Sequence, residues 1–279
     1  MDSRSVSATT KVFVYFVLAL FTVLAIYPIF WLIIQSFKTT QEYLTSSKMA
    51  FPKAWYFDNY PYAWRMGNFN TLFANSVFYT VISVTVIVVL SLMAGFGFSK
   101  LKFKITPVLH GLFIIGILLT IQSILVPLFL LANAAKLYNT RLGVLIPYVG
   151  LGLPMGVYLC TEFVKGIPDE VIESARIDGA NHLMIFARIV FPMCIPVAVT
   201  LAIVSFTATW NEFVLVNILT SSDAIKSLPV GVARFAGARS TDYGRQFTGL
   251  AICLVPILVF YAFFRKQITK GVAAGAVKG

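Results

Sequence analysis

Residues 66–99, MGNFNTLFANSVFYTVISVTVIVVLSLMAGFGFS, decide the fold. The stretch runs 34 residues from Arg65 to Lys100 without an Asp, Glu, Lys or Arg. About 20 mostly apolar residues suffice for a helix to cross a bilayer. Each central Leu, Ile, Phe or Val contributes roughly −0.3 to −0.6 kcal/mol to insertion, so the stretch reads as a membrane span.

The same reading extends in both directions. Charge-free gaps of 26, 31, 20, 23 and 19 residues follow Lys11, Lys104, Arg141, Arg188 and Arg245. Each is long enough for one crossing, and none for two. Helices buried in a soluble core are the alternative. However, only 12% of the 279 residues are charged and 58% are hydrophobic, where a soluble domain has about a quarter charged. Such a chain cannot coat a water-facing surface. It is therefore expected to be an all-α integral membrane protein with six spans, near 12–37, 75–99, 108–131, 142–164, 193–219 and 246–264.

The net charge of +11 does not indicate a nucleic-acid binder, because the cations are scattered among the loops instead of gathered on one face. With the N-terminus inside, the inner segments carry 12 basic residues and the outer ones 10. Local density weighs more: Lys100, Lys102 and Lys104 share one short loop, and Arg265, Lys266 and Lys270 follow the last run directly. Both termini are therefore expected in the cytoplasm. The first run exceeds the apolar stretch of a signal peptide and reads as a retained span. Cys160, Cys194 and Cys253 match no zinc or redox spacing and read as packing residues. His110, within a span, and His182 suggest no metal site.

The segments between and within the runs differ in character. The outer loop 38–74 holds Phe51, Trp55, Tyr56, Tyr60, Tyr62 and Trp64, consistent with rings at a membrane interface. In the fourth run, Gly152 and Gly156 form a small-xxx-small pair that lets another helix approach, and Pro147 and Pro154 predict a kink.

The longest inner segment, 165–196, reads KGIPDEVIESARIDGANHLMIFARIVFPMCIP. Pro168 suits a helix start, with Asp169, Glu170 and Glu173 near its positive end. Val171, Ile172, Ala175 and Ile177 are expected to form an apolar side, and Gly179 to end the helix. A second apolar segment, with Leu183, Ile185, Phe186, Ile189 and Val190, runs to Pro192 and Pro196. The product is a helix–turn–helix elbow. Its residues suit docking on a soluble partner and resting on lipid equally well.

The run E-S-A-R-I-D-G-A, with Ile189, Pro192 and Pro196 beyond it, resembles the EAA loop of ABC importer permeases. Glu173, Ala175, Asp178, Gly179, Ala180, Ile189 and Pro192 match in register; Ser174 replaces an alanine. W-N-E-F at Trp210–Phe213, L-P-V-G-V at Leu228–Val232, Asn59-Tyr60, Asn75-Ser76 and the tail G-V-A-A-G-A-V-K-G resemble maltose-type sugar permeases, the tail closely that of the second subunit.

The resemblance implies the type I ABC importer permease fold, in three parts: a cytoplasmic N-terminus (1–11), a six-span permease domain (12–264) with a coupling loop at 165–192, and a cytoplasmic tail (265–279). It implies a multi-pass protein of the bacterial inner membrane. Its partners would be a second permease subunit, two ATPase subunits and an extracytoplasmic sugar-binding protein. Glu173 would contact an ATPase and Gly179 would make the turn. Gly275, Lys278 and Gly279 of the tail would reach the ATPases; without the resemblance that tail reads as a frayed end.

No G-x-x-x-x-G-K-[ST] phosphate loop is present, so this chain is expected to be no enzyme, with ATP and Mg bound by its partners. Thr207, Thr209, Trp210, Asn211 and Glu212 are the candidate substrate pathway, because polar groups inside a membrane are costly. The alternative is that Trp210 anchors the outer interface. The expected function is a permease subunit for ATP-driven import of a sugar, an oligosaccharide by family likeness alone. An importer of another solute such as glycerol phosphate, and a stand-alone channel or ion-coupled carrier, are the alternatives.

Overall fold

A computed structural model describes residues 8–101, 103–233, 235 and 241–276. In chain order the helices begin with α1 (Ala8–Gln35), α2 (Thr40–Thr45), α3 (Asn59–Met66) and α4 (Phe69–Lys100). Next come α5 (Thr106–Ile117), α6 (Ile121–Ala134) and α7 (Arg141–Lys165). The elbow contains α8 (Asp169–Ile177), α9 (His182–Ile185), a π-helical stretch at Phe186–Val190 and α10 (Phe191–Met193). The remainder is α11 (Ile195–Trp210), α12 (Val214–Leu219), α13 (Leu228–Ala233) and α14 (Tyr243–Ala276).

Among the described residues, four helices are long and apolar enough to cross a bilayer: α1 from Thr9, α4, α7, and α14 as far as Arg265. Two bent pairs raise the number to six if each counts as one span. The run expected as one helix over 108–131 is α5 and α6, bent by 107°. Thr120 between them is extended, and its hydroxyl bonds that of Ser123 at 2.8 Å. Uncharged polar residues thus interrupt a run that a count of charges reads as continuous. The run over 193–219 is also divided. It enters through a 74° bend between Met193 and Ile195, and it unwinds at 211–213 before α12. Pro196 sits in the first turn of α11, where its missing N–H costs least. By contrast, α7 continues through Pro147 and Pro154.

The chain divides into two compact units. One comprises the described residues up to Phe69 together with Val232–Val255. Here Asn59 donates to the carbonyls of Ser36 and Lys38, both at 2.9 Å. Thr248 donates to Ser36 at 3.0 Å, and Thr40 to Asp242 Oδ1 at 2.7 Å. The first three satisfy carbonyls just past the end of α1, and the last joins the start of α2 to the carboxylate of Asp242. Trp55, Tyr56 and Phe51 of the aromatic loop remain 49%, 44% and 62% exposed.

The other unit comprises the described residues of 70–231 and 256–276. One seam joins α4 to α7. A Cβ added to Gly152 would lie 2.4 Å from Ile87 Cδ1, and one on Gly156 would lie 2.2 Å from Ser91 Oγ. One on Gly95 would meet the backbone of Cys160 at 2.8 Å. The small-xxx-small pair therefore receives α4, as close packing in lipid favours. The seam continues into a buried cluster of Ile87, Leu92, Phe96, Cys160, Val164 and residues of the elbow and α11.

Gly156→Leu should destabilise the chain by about 1–3 kcal/mol through overpacking, read as a lower unfolding midpoint in sodium dodecyl sulfate. Gly150→Ala, where an added Cβ meets nothing within 4 Å, should leave that midpoint unchanged or raise it.

Candidate functional site

The elbow has a buried base and an exposed tip. Pro168 stands one position before the first helical residue of α8, and Asp169 and Glu170 occupy the first turn. Their negative charge complements the positive helix end. Ile172 and Ala175 are buried in the cluster with Ile87 and Leu92, joined by Ile185, Val190 and Cys194 from the second arm. Ile177 does not join them: it is 87% exposed, against the expectation that it shares the apolar side. It lies five residues beyond Ile172, about 140° around the helix, so it faces outward.

The turn has a defined hydrogen-bond pattern. Gly179 adopts φ +82°, where a side chain is strained. Its N–H bonds the Arg176 carbonyl at 3.0 Å, and the Ala180 N–H bonds that of Ala175 at 3.0 Å. This is the Schellman termination that a left-handed glycine permits. Asn181 then caps α9 by accepting the Met184 N–H at 2.8 Å. Glu173, Ser174, Asp178, Gly179 and Pro192 are exposed; Ala180 and Ile189 are half-buried. The Ser174 hydroxyl is turned back to the Glu170 carbonyl at 2.7 Å. Leu183, 70% exposed, is a second exposed apolar residue of the elbow, in addition to Ile177.

A cavity of about 250 Å³ lies among α4, α7, α11 and α12. Thr209 and Glu212 line it, with Ser205 and Tyr148 as further polar groups and Ile87 and Leu201 among the apolar ones. The Tyr148 hydroxyl donates to Glu212 Oε2 at 2.9 Å. The Leu215 N–H donates to Glu212 Oε1 at 2.8 Å, and the Val216 N–H to Oε2 at 3.3 Å. One carboxylate thus restarts the chain as α12 and ties that junction to α7.

The other three pathway candidates do not line this cavity. Thr207 bonds its own helix at the Ile203 carbonyl, and Asn211 bonds the Thr207 carbonyl. Trp210 is 3% exposed and stacks on Phe206 at 5.9 Å, so it packs among rings instead of standing free at an interface. The sequence gives Tyr148 and Ser205 no local signal beyond a hydroxyl within an apolar run. Lys278 and Gly279 lie outside the described residues, and Gly275 falls within α14.

A polar clamp joins α4 to the loop that follows α12. Asn75 donates to the carbonyls of Ala224 and Lys226 at 2.8 and 3.0 Å, and Tyr79 to Ile225 at 2.6 Å. Ser76 Oγ accepts the Leu228 N–H at 2.8 Å. The Asn-Ser pair thereby fixes the loop that leads into the L-P-V-G-V segment.

Known proteins resemble this chain over nearly its whole length. A putative ABC transporter permease protein of Caldicellulosiruptor is 37% identical over 270 residues, covering 97% of this chain and 98% of that protein. A diacetylchitobiose uptake system permease protein of Streptomyces coelicolor is 31% identical, covering 94% and 87%. A trehalose transport system permease protein of Mycobacterium tuberculosis is 31% identical, covering 91% and 93%. Among solved structures, a bacterial ABC transporter involved in import of the acidic polysaccharide alginate superimposes with a TM-score of 0.80. It covers 95% of this chain and 98% of its own at 21% identity, a likeness of fold. The family described as binding-protein-dependent transport system inner membrane component matches residues 87–273, more than half of the chain, and this chain belongs to that family of ABC transporter permeases.

Proposed function

We propose that this chain is one permease subunit of an ATP-driven, binding-protein-dependent importer of a sugar, most simply an oligosaccharide. The observation that carries the reading is the two-sided elbow. Its base is buried in the cluster that reaches the cavity wall, while Glu173, Ile177 and Leu183 are exposed at its tip. Relatives named for uptake of diacetylchitobiose and trehalose support the sugar assignment. So does a similar fold solved with an alginate pentasaccharide-bound periplasmic protein.

In this reading the six runs are six spans with both termini in the cytoplasm of a bacterial cell. The parts are a short N-terminus at 1–11, the permease domain at 12–264 and the tail at 265–279. Each of two ATPase subunits binds ATP and Mg below the membrane; one of them receives the loop 165–192. Glu173 and Asp178 offer it charge, and Gly275, Lys278 and Gly279 follow as a tail contact. A second permease subunit completes the pathway and a sugar-binding protein delivers the solute outside. Hydroxyls of Ser205, Thr209 and Tyr148 can exchange hydrogen bonds with a polyol, in a cavity otherwise largely apolar. ATP binding shifts the pair of permeases between outward and inward states by differential affinity.

Purification from mild detergent should recover the chain with an ATPase and a second permease; recovery of the chain alone would remove the basis of this reading. Gly179→Val places a β-branched residue at φ +82° and introduces strain of about 1–3 kcal/mol. Sugar uptake should fall about tenfold or more with the amount of chain in the membrane unchanged, and normal uptake would count against coupling through the turn. Glu212→Ala should loosen the start of α12 by about 0.5–2 kcal/mol, seen as faster hydrogen exchange at Leu215 and Val216. Uptake should fall with it, while Thr207→Ala, away from the cavity, should leave both unchanged.

A further inference from the structure

Lys100, the last residue of α4, departs from the usual behaviour of a lysine at the end of a span. Such side chains extend their ammonium into water. Here the side chain is only 5% exposed. Its Nζ donates to Asp169 Oδ1 at 2.6 Å and to the Ile167 carbonyl at 2.5 Å. A cation at the start of α8 opposes the helix dipole, so this placement is held by its two acceptors. Neighbouring contacts reinforce the joint. The Ser99 hydroxyl donates to the Thr161 carbonyl at 2.9 Å, and the rings of Phe96 and Phe186 lie 5.7 Å apart. The end of α4 is therefore fastened to both arms of the elbow and to α7.

From Lys100, α4 runs back without a proline or break to Ile87, about 20 Å away at 1.5 Å per residue. Ile87 fills the notch at Gly152, belongs to the same buried cluster as the elbow, and lines the cavity. Together these observations describe a stiff connection from the elbow to the cavity wall.

We infer that Lys100 is a positioning residue for transport, bracing the elbow to α4 so that displacement of the elbow is delivered to the cavity wall at Ile87. The inference rests on the reading of the elbow as the ATPase contact. It adds the element that receives the motion and the side chain that secures it. Without the brace the elbow can shift with its ATPase while α4 lags, and ATP is then hydrolysed without movement of solute.

The test uses the whole importer, with its ATPases, second permease and binding protein, in proteoliposomes, measuring ATP hydrolysis and sugar uptake together. For Lys100→Met, ATP hydrolysed per sugar imported should rise about tenfold, the scale of one lost charge-assisted contact. Lys100→Arg, which keeps the cation and its donors, should restore most of the coupling. Asp169 is 69% exposed, so Asp169→Asn should assemble normally and raise the same ratio to a smaller degree. This variant decides the matter if Lys100→Met does not assemble. A role confined to folding predicts that uptake and hydrolysis fall in proportion, and that result, or an unchanged ratio in both variants, overturns the inference. Absence of ATP-driven uptake by the unmodified complex would instead refute the importer reading itself.

Discussion

The approach of α4 to α7 is the constraint on which the larger unit depends. In lipid the hydrophobic effect does not drive one apolar helix onto another, so association relies on close packing. Gly95, Gly152 and Gly156 have no side chain where Cys160, Ile87 and Ser91 stand. That absence brings α4 near enough for Ile87 to reach the cavity and for Lys100 to reach the elbow. A larger residue in the seam would displace both ends at once.

Much of the helical layout is legible in the sequence, for a simple reason. A charge in hydrocarbon is expensive, so charge-free runs mark the apolar helices. The same count overlooks uncharged polar groups. Thr120 with Ser123 breaks the third run where only hydrogen bonding reveals it, whereas the fifth gap already ends at Glu212, whose carboxylate bonds the start of the next helix. The elbow is legible because its turn needs one glycine at a positive φ and its arms begin and end at prolines. The direction of Ile177 is a matter of helical phase: its spacing from Ile172 and Ala175 sets it away from their face.

The cavity is less legible. Thr209 and Glu212 line it, but Thr207, Trp210 and Asn211 of the same short stretch do not, because a helix divides consecutive residues among its faces. Tyr148 reaches Glu212 from a helix 64 positions away, and no local pattern announces such a pair. The Lys100 contact is similar. In sequence it is one basic residue beside a span; in the structure it joins two elements 69 positions apart.

A transport subunit needs a part that a partner can grip and a stiff path from there to the solute. In the proposed importer, the exposed tip and buried base of the elbow provide the first, and the unbroken α4 provides the second. The most direct test places a single cysteine at Ile177, which is 87% exposed, after Cys160, Cys194 and Cys253 are replaced. A membrane-impermeant maleimide should label it in inside-out vesicles and not in intact cells, with labelling slowed when the ATPases are assembled. Labelling from outside intact cells, or equal rates with and without the ATPases, would contradict the account.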